Sequence, residues 1–141
     1  MGFFSKMFGP DQQYPDLAGD SAAAGQLAAI SSNLEQLARD VHDPMEVVPT
    51  DHGAYVFIGK PPKKFGIAWI EGGEVKSFKT LMDEHGVSGA EVAKVSDELR
   101  DVYVRHHETD HYRTTIADRE IVVTPDPGLE QEVREVLAKL H

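Results

Sequence analysis

Residues 54–59, Ala-Tyr-Val-Phe-Ile-Gly, carry four large apolar side chains in succession and are bounded by turn-forming residues. Such a run is too short and too rich in β-branched and aromatic residues for a helix, and it reads as a strand. Successive side chains of a strand point to opposite faces, so Tyr55 and Phe57 face one way while Val56 and Ile58 face the other. A strand that is apolar on both faces needs cover on both, from helices or from a partner subunit. The chain therefore has to build a sheet between two layers.

Two further runs, 65–72 and 74–78, have the same composition and are joined by Gly72-Gly73, which suits a tight hairpin. Residues 111–125 are β-branched on both sides of Ala117-Asp118-Arg119-Glu120 and predict a second hairpin. The covering helices are equally legible. From Ala23, Leu27, Ile30, Leu34, Leu37 and Val41 recur at spacings of three and four and form one narrow helical face, which serves either the chain's own sheet or a seam with a second copy. Pro44 closes that segment. Lys79 to Gly86 adds a short helical turn. Ser88 with Glu91 forms a capping box before a helix whose seam is Val92, Val95, Leu99, Val102 and His106. Asp126-Pro127 opens a last helix with Leu129, Val133, Val136, Leu137 and Leu140 on its apolar face.

The expected architecture is α+β: an antiparallel sheet of about five strands covered by three helices, in the order α-βββ-α-ββ-α. Residues 1–22 are expected to be an N-terminal apolar foot and flexible linker, and residues 23–141 a single domain, an assignment consistent with a chain of 141 residues. Over residues 23–141 this element order resembles the small acidic chaperones of type III secretion and their structural relatives. That resemblance implies a dimer that holds an unfolded segment of another protein.

Composition narrows the chemistry. Twenty-four acidic against fourteen basic side chains give a formal charge of −10, which repels phosphate backbones, so no nucleic-acid partner is expected. The chain has no cysteine, which excludes a disulfide framework, a thiolate metal cage and a cysteine nucleophile, and is compatible with a cytoplasmic location. No apolar run reaches the roughly 20 residues of a membrane-spanning helix. The opening Met-Gly-Phe-Phe-Ser-Lys-Met-Phe is too short and too weakly basic for a secretory signal. Phe3, Phe4 and Phe8, with Met7, nonetheless form an apolar stripe suited to a partner protein or to peripheral membrane contact by residues 1–8.

The most specific string is His107-Glu108-Thr109-Asp110-His111, the spelling of a zinc-peptidase motif. In such a motif two His four residues apart on one helical face ligate Zn²⁺ while the Glu acts as general base. His107 and His111 with Glu130, or with Glu132 or Glu135 on the next helix, would complete the ligand set, with Glu108 as the catalytic base. Against this, Thr109 and Asp110 are poor helix formers, residues from Tyr112 read as strand, and the seam points His106 rather than His107 inward. His42-Asp43 and Asp51-His52 are two further imidazole-carboxylate pairs, read as turn residues.

One local surface opposes the acidic whole. Lys60, Lys63 and Lys64 surround two prolines, a stiffened loop with little entropy left to lose on binding an acidic or phosphorylated ligand. The sequence thus supports a small acidic interaction module without a cofactor: an adaptor, chaperone or accessory subunit. Its partner contacts would be Phe3, Phe4, Phe8, Lys60, Lys63 and Lys64, and self-association as a homodimer would proceed through the first helix or the 54–59 strand. The alternative is a zinc-dependent hydrolase, and a weaker one a phosphate-ligand sensor built on the lysine loop.

Overall fold

The computed structural model describes residues 14–61 and 63–140. Its elements run α1 (Ala22–Ala29), α2 (Ser31–Asp40), β1 (Met45–Pro49), β2 (Gly53–Lys60), β3 (Lys64–Glu71), β4 (Glu74–Ser77), α3 (Phe78–His85), α4 (Gly89–Arg105), β5 (Tyr112–Ile116), β6 (Arg119–Val123) and α5 (Pro127–Ala138). The α+β class is as expected, but the sheet has six strands rather than about five and is mixed rather than antiparallel, and five helices replace three. Strand order is β4-β3-β2-β1-β6-β5, with β1 parallel to β6 and every other neighbouring pair antiparallel.

The unforeseen strand is β1. Pro44 precedes it and Pro49 ends it, which makes the segment look like the end of a helix, yet all five of its residues are buried. It lies at the centre of the sheet with cover on both faces, so it shows no alternation, and Pro49 at its end removes no donor from its middle. The expected first helix divides at Ile30, where φ −121° and ψ 23° leave the helical range, just before the weak helix formers Ser31, Ser32 and Asn33. The second hairpin turns on Ala117 and Asp118 alone, so Arg119 and Glu120 belong to β6.

Two cores result. On one face Val47, Val56, Ala68, Ile70, Ile121 and Val123 pack under Leu27, Ile30, Leu34 and Leu37 of the α1–α2 layer. On the other, Val48, Phe57, Ile67 and Trp69 pack under Leu81, Leu99, Val102, Val133 and Leu137. The doubly apolar strand, now β2, is thus covered by the chain's own helices. Leu34, the centre of the first seam, is buried within a single copy. The expected capping box forms, Ser88 Oγ accepting from Glu91 N (3.1 Å) and Glu91 Oε1 from Ser88 N (3.1 Å), and α5 is capped by Asp126, whose Oδ1 accepts from Gly128 N and Leu129 N. Among the described residues no helix is long and apolar enough to cross a membrane.

Candidate functional site

The β2–β3 hairpin carries the basic loop. Gly59 adopts φ +115°, and a Cβ there would lie 2.8 Å from the Lys64 carbonyl oxygen, so only glycine lets the two strands close at this point. Lys63 N donates to Lys60 O (3.1 Å) across the turn. The hairpin thereby gathers Lys60, Lys63 and Lys64 at one end of the sheet, where Arg100 of α4 joins them. Its Nη2 donates to Lys63 O (3.5 Å), and its guanidinium lies 5.8 Å from the Phe65 ring centroid. None of the three lysines forms an ion pair among the described residues, whereas Lys76 and Lys139 each have a carboxylate partner.

Beside this loop lies a groove of about 790 Å³. Leu37, Val41 and Pro44 at the end of α2 form one wall, Ile58, Gly66 and Ala68 the floor, and Val75 and Ser77 of β4 the far wall. Lys60, Lys64 and Asp43 stand at its rim. The groove exists because the two-helix layer covers Ala68 and Ile70 of β3 but neither Gly66 nor the whole of β4 on this face. Val75 is accordingly 40% exposed.

The histidine-rich segment has a different geometry from the one its spelling suggests. Helix α4 ends at Arg105, and residues 106–108 form a turn closed by Thr109 N donating to His106 O (3.2 Å). His107 and His111 therefore do not share a helical face. His107 is exposed, with Nδ1 2.7 Å from Val104 O, and Glu108 is almost wholly in solvent. His111 turns inward, its Nδ1 2.8 Å from Thr124 Oγ1, while Tyr14 stacks on its ring at 4.9 Å. Glu130 sits on α5 paired with Arg134. The structure does not bring His107, His111 and Glu130 together, and among the described residues no group of three or more His, Asp or Glu is arranged to hold a metal ion.

Two other clusters form there instead. Glu46 of β1 is buried; its carboxylate accepts from Tyr103 Oη (2.6 Å) and Thr124 Oγ1 (2.5 Å), with His111 Nδ1 3.6 Å away. Burial, then the Glu46 charge, pushes the Tyr103 phenol far above its ordinary range. Each carboxylate oxygen accepts one hydrogen bond, so the cluster joins β1, α4 and the residue after β6.

In the second, His106 bridges Asp126 (Nδ1 to Oδ2, 3.0 Å) and Glu132 (Nε2 to Oε2, 2.5 Å), and Arg105 also pairs with Glu132. Burial opposes charge on His106, but hydrogen bonds to Glu132 and Asp126 and their charges outweigh it and hold the pKa above the ordinary value. Burial likewise opposes charge on Asp126, yet bonds from Leu129 N and His106 hold its pKa low, and hydrogen bonds from His106 and Arg105 lower that of Glu132.

At the other two His–Asp pairs the bonds are mainly to backbone atoms. Asp43 O accepts from Arg119 Nη2 (2.6 Å), which also ties down the end of α2 through Ala38 O (2.9 Å to Nη1). Asp51 accepts from Gln26 Nε2 (3.3 Å), and His52 N donates to Thr50 Oγ1 (3.2 Å) within the β1–β2 turn. Phe3, Phe4 and Phe8 lie outside the described residues. Sequence reading found the lysines but not the groove, since Leu37, Ile58 and Val75 come from three separate elements. It also missed Glu46, Tyr103 and Thr124, for which the only signal was a carboxylate inside an apolar run. Comparison with protein-family models, curated proteins and solved structures found no match.

Proposed function

We propose that this protein is an interaction module that holds an acidic, apolar-bearing segment of a partner protein in the groove between α2 and β4, acting as an adaptor, chaperone or accessory subunit. The observation that carries this reading is the coincidence of an exposed, mainly apolar groove with lysines that form no ion pair among the described residues, on a chain of net charge −10. Apolar side chains of the partner fill the space over Ile58, Ala68 and Val75, and its carboxylates meet Lys60, Lys63 and Lys64. Electrostatic complementarity supplies orientation and encounter rate, while desolvation of the groove supplies affinity. Phe3, Phe4 and Phe8 are proposed as a second contact, with protein or with a membrane surface.

The test places a photo-crosslinking residue at Val75 and, as a control, at Val104, which is also exposed but lies on α4. After irradiation in the native host, the captured segment is synthesised and titrated against the wild type and the Lys60→Ser, Lys63→Ser, Lys64→Ser variant. Capture at Val75 alone is expected, with affinity about ten-fold weaker for the variant at low salt and a narrower gap at 0.5 M salt. Equal capture at Val104, or affinity indifferent to the lysines, overturns the reading.

A further inference from the structure

Any segment that fills the groove has to satisfy its own backbone there. Strand β3 is paired with β2 from Lys64 to Glu71 and with β4 from Ala68 to Glu71, and the Ala68–Ser77 register carries Phe78 opposite Ile67, which is 3% exposed. Strand β3 therefore presents a face to the groove and no free edge. On that face lie Ile58 beside Gly66, then Val75 and Ser77 of β4, with Lys60 and Lys64 at one end. A chain laid over such a surface finds few backbone partners, and burying unpaired peptide groups is strongly unfavourable. An α-helix avoids this, because its N–H and C=O groups bond to one another.

The dimensions match a helix. From β2 across β3 to β4 is two strand spacings, about 10 Å, close to the diameter of a helix with its side chains. From Lys64 to Ile70, the partner of Val75, β3 runs roughly 20 Å, the length of a helix of about 13 residues. Gly66 lets such a helix approach closely, since a Cβ built on it meets nothing within 4 Å. The charge at one end matches as well. Lys60 and Lys64 are paired directly across β2–β3, and like charges so placed destabilise a sheet. Neither forms an ion pair among the described residues. The last turn of a helix supplies what they lack: carbonyl groups without internal partners and the negative end of the macrodipole.

We infer that the partner segment is an amphipathic α-helix of about 13 residues, laid over Ile58, Gly66 and Val75 beside the α1–α2 layer, with its carboxyl-terminal turn and that turn's carboxylates against Lys60 and Lys64. This rests on the groove being the binding surface and specifies what the groove holds. Residues 1–13 carry only Lys6 and Asp11 as charged side chains, and a second copy of charge −10 is repelled as a whole, so neither supplies the acidic complement.

The test uses two synthetic peptides of about 14 residues with the same Leu, Ala, Gln and Glu composition. One has Leu at spacings of three and four and its Glu residues in the last turn; the other has Leu at every second position. Each is titrated into the full chain and followed by NMR. The helical peptide is expected to shift Ile58, Gly66 and Val75, to acquire helical carbon shifts when bound, and to bind about ten-fold more tightly than the alternating one, which buries unpaired peptide groups. A nitroxide at its carboxyl terminus should broaden the Lys60 and Lys64 amides more than that of Val75. The Lys60→Glu, Lys64→Glu variant keeps like charges opposed and should melt as the wild type does, yet bind this peptide about ten-fold more weakly, with affinity recovered by a peptide bearing Lys in place of Glu. Gly66→Leu should abolish binding without lowering the melting temperature.

Tighter binding of the alternating peptide, or broadening centred on Val75, overturns the inference while leaving the groove as the binding surface. If neither peptide shifts any groove resonance at millimolar concentration, the inference falls, and the interaction reading falls with it where crosslinking at Val75 also captures nothing. Groove shifts that grow with protein concentration in the absence of peptide identify a second copy as the occupant and overturn the inference.

Discussion

Thr124 Oγ1 donates to Glu46 Oε2 at 2.5 Å, and this bond joins the residue following β6 to the middle of β1 beside the parallel pair of the sheet. Thr124 N also donates to Val47 O (2.8 Å), so one residue secures the junction by both backbone and side chain. Removing the hydroxyl leaves a buried carboxylate oxygen and the His111 Nδ1 without their partner. Thr124→Val, nearly isosteric, should therefore lower the unfolding free energy by about 2 kcal/mol in urea denaturation. In the Glu46→Gln background the loss should be smaller, because the desolvated charge is gone. Equal losses in the two backgrounds would show that the hydroxyl acts independently of Glu46.

His106 makes stability depend on pH in a defined direction. Its folded pKa lies above the ordinary value of 6.5, so its contribution is complete below that value and is lost as pH rises through the folded pKa. Asp126 and Glu132 have lowered pKa values, so their contributions are present above the ordinary 3.8 and 4.5 and are lost as pH falls through the folded values. The cluster is therefore strongest between roughly pH 5 and 6.5. His106→Gln should cost on the order of 1 kcal/mol at pH 6, held to that level by the partial exposure of Glu132, and progressively less toward pH 9. A difference that stays constant from pH 6 to 9 would refute the charged bridge.

The β5–β6 turn places two non-glycine residues in the left-handed region, Ala117 at φ 52° and Asp118 at φ 64°. Asp tolerates this conformation through local hydrogen bonding; Ala has no such compensation. Ala117→Gly should raise stability by about 1 kcal/mol, read as a melting temperature about 3 °C higher. A fall instead would mean that the contact of the Ala117 methyl with the α1–α2 core outweighs the backbone strain.

Gly53 and Gly66 lie on adjacent strands and should respond oppositely to the same substitution. A Cβ at Gly53 would sit 1.7 Å from a backbone oxygen that cannot move without opening the β2–β3 ladder, whereas one at Gly66 enters open space. Gly53→Ala should cost about 3 kcal/mol or more. Gly66→Ala should be neutral or stabilising by roughly 0.5 kcal/mol through reduced chain entropy. Comparable melting temperatures for the two variants would contradict the strand pairing described here.

The sequence by itself determined what depends on neighbours within a few positions. The seams of α1–α2, α4 and α5 were legible because the 3.6-residue period puts Leu27, Leu34, Leu99 or Val133 on one face whatever they pack against. The Ser88–Glu91 cap was legible because its partners lie within three residues, and β2 and β3 because Tyr55 to Ile58 and Ile67 to Ile70 are short, uninterrupted apolar runs between turn residues. Lys60, Lys63 and Lys64 stood out for the same local reason.

Tertiary structure alone decided the rest. Strand β1 became recognisable only once β2 and β6 lay on either side of it, since a strand buried on both faces has no alternation to read. The fate of the histidines was settled by where α4 stopped: a turn at His106 sent His107 to solvent and His111 toward Thr124, so the spelling of a metal motif did not become its geometry. The groove depends on the lengths of α2 and β4 relative to the sheet between them. That is a relation among segments some forty residues apart, and no local pattern encodes it.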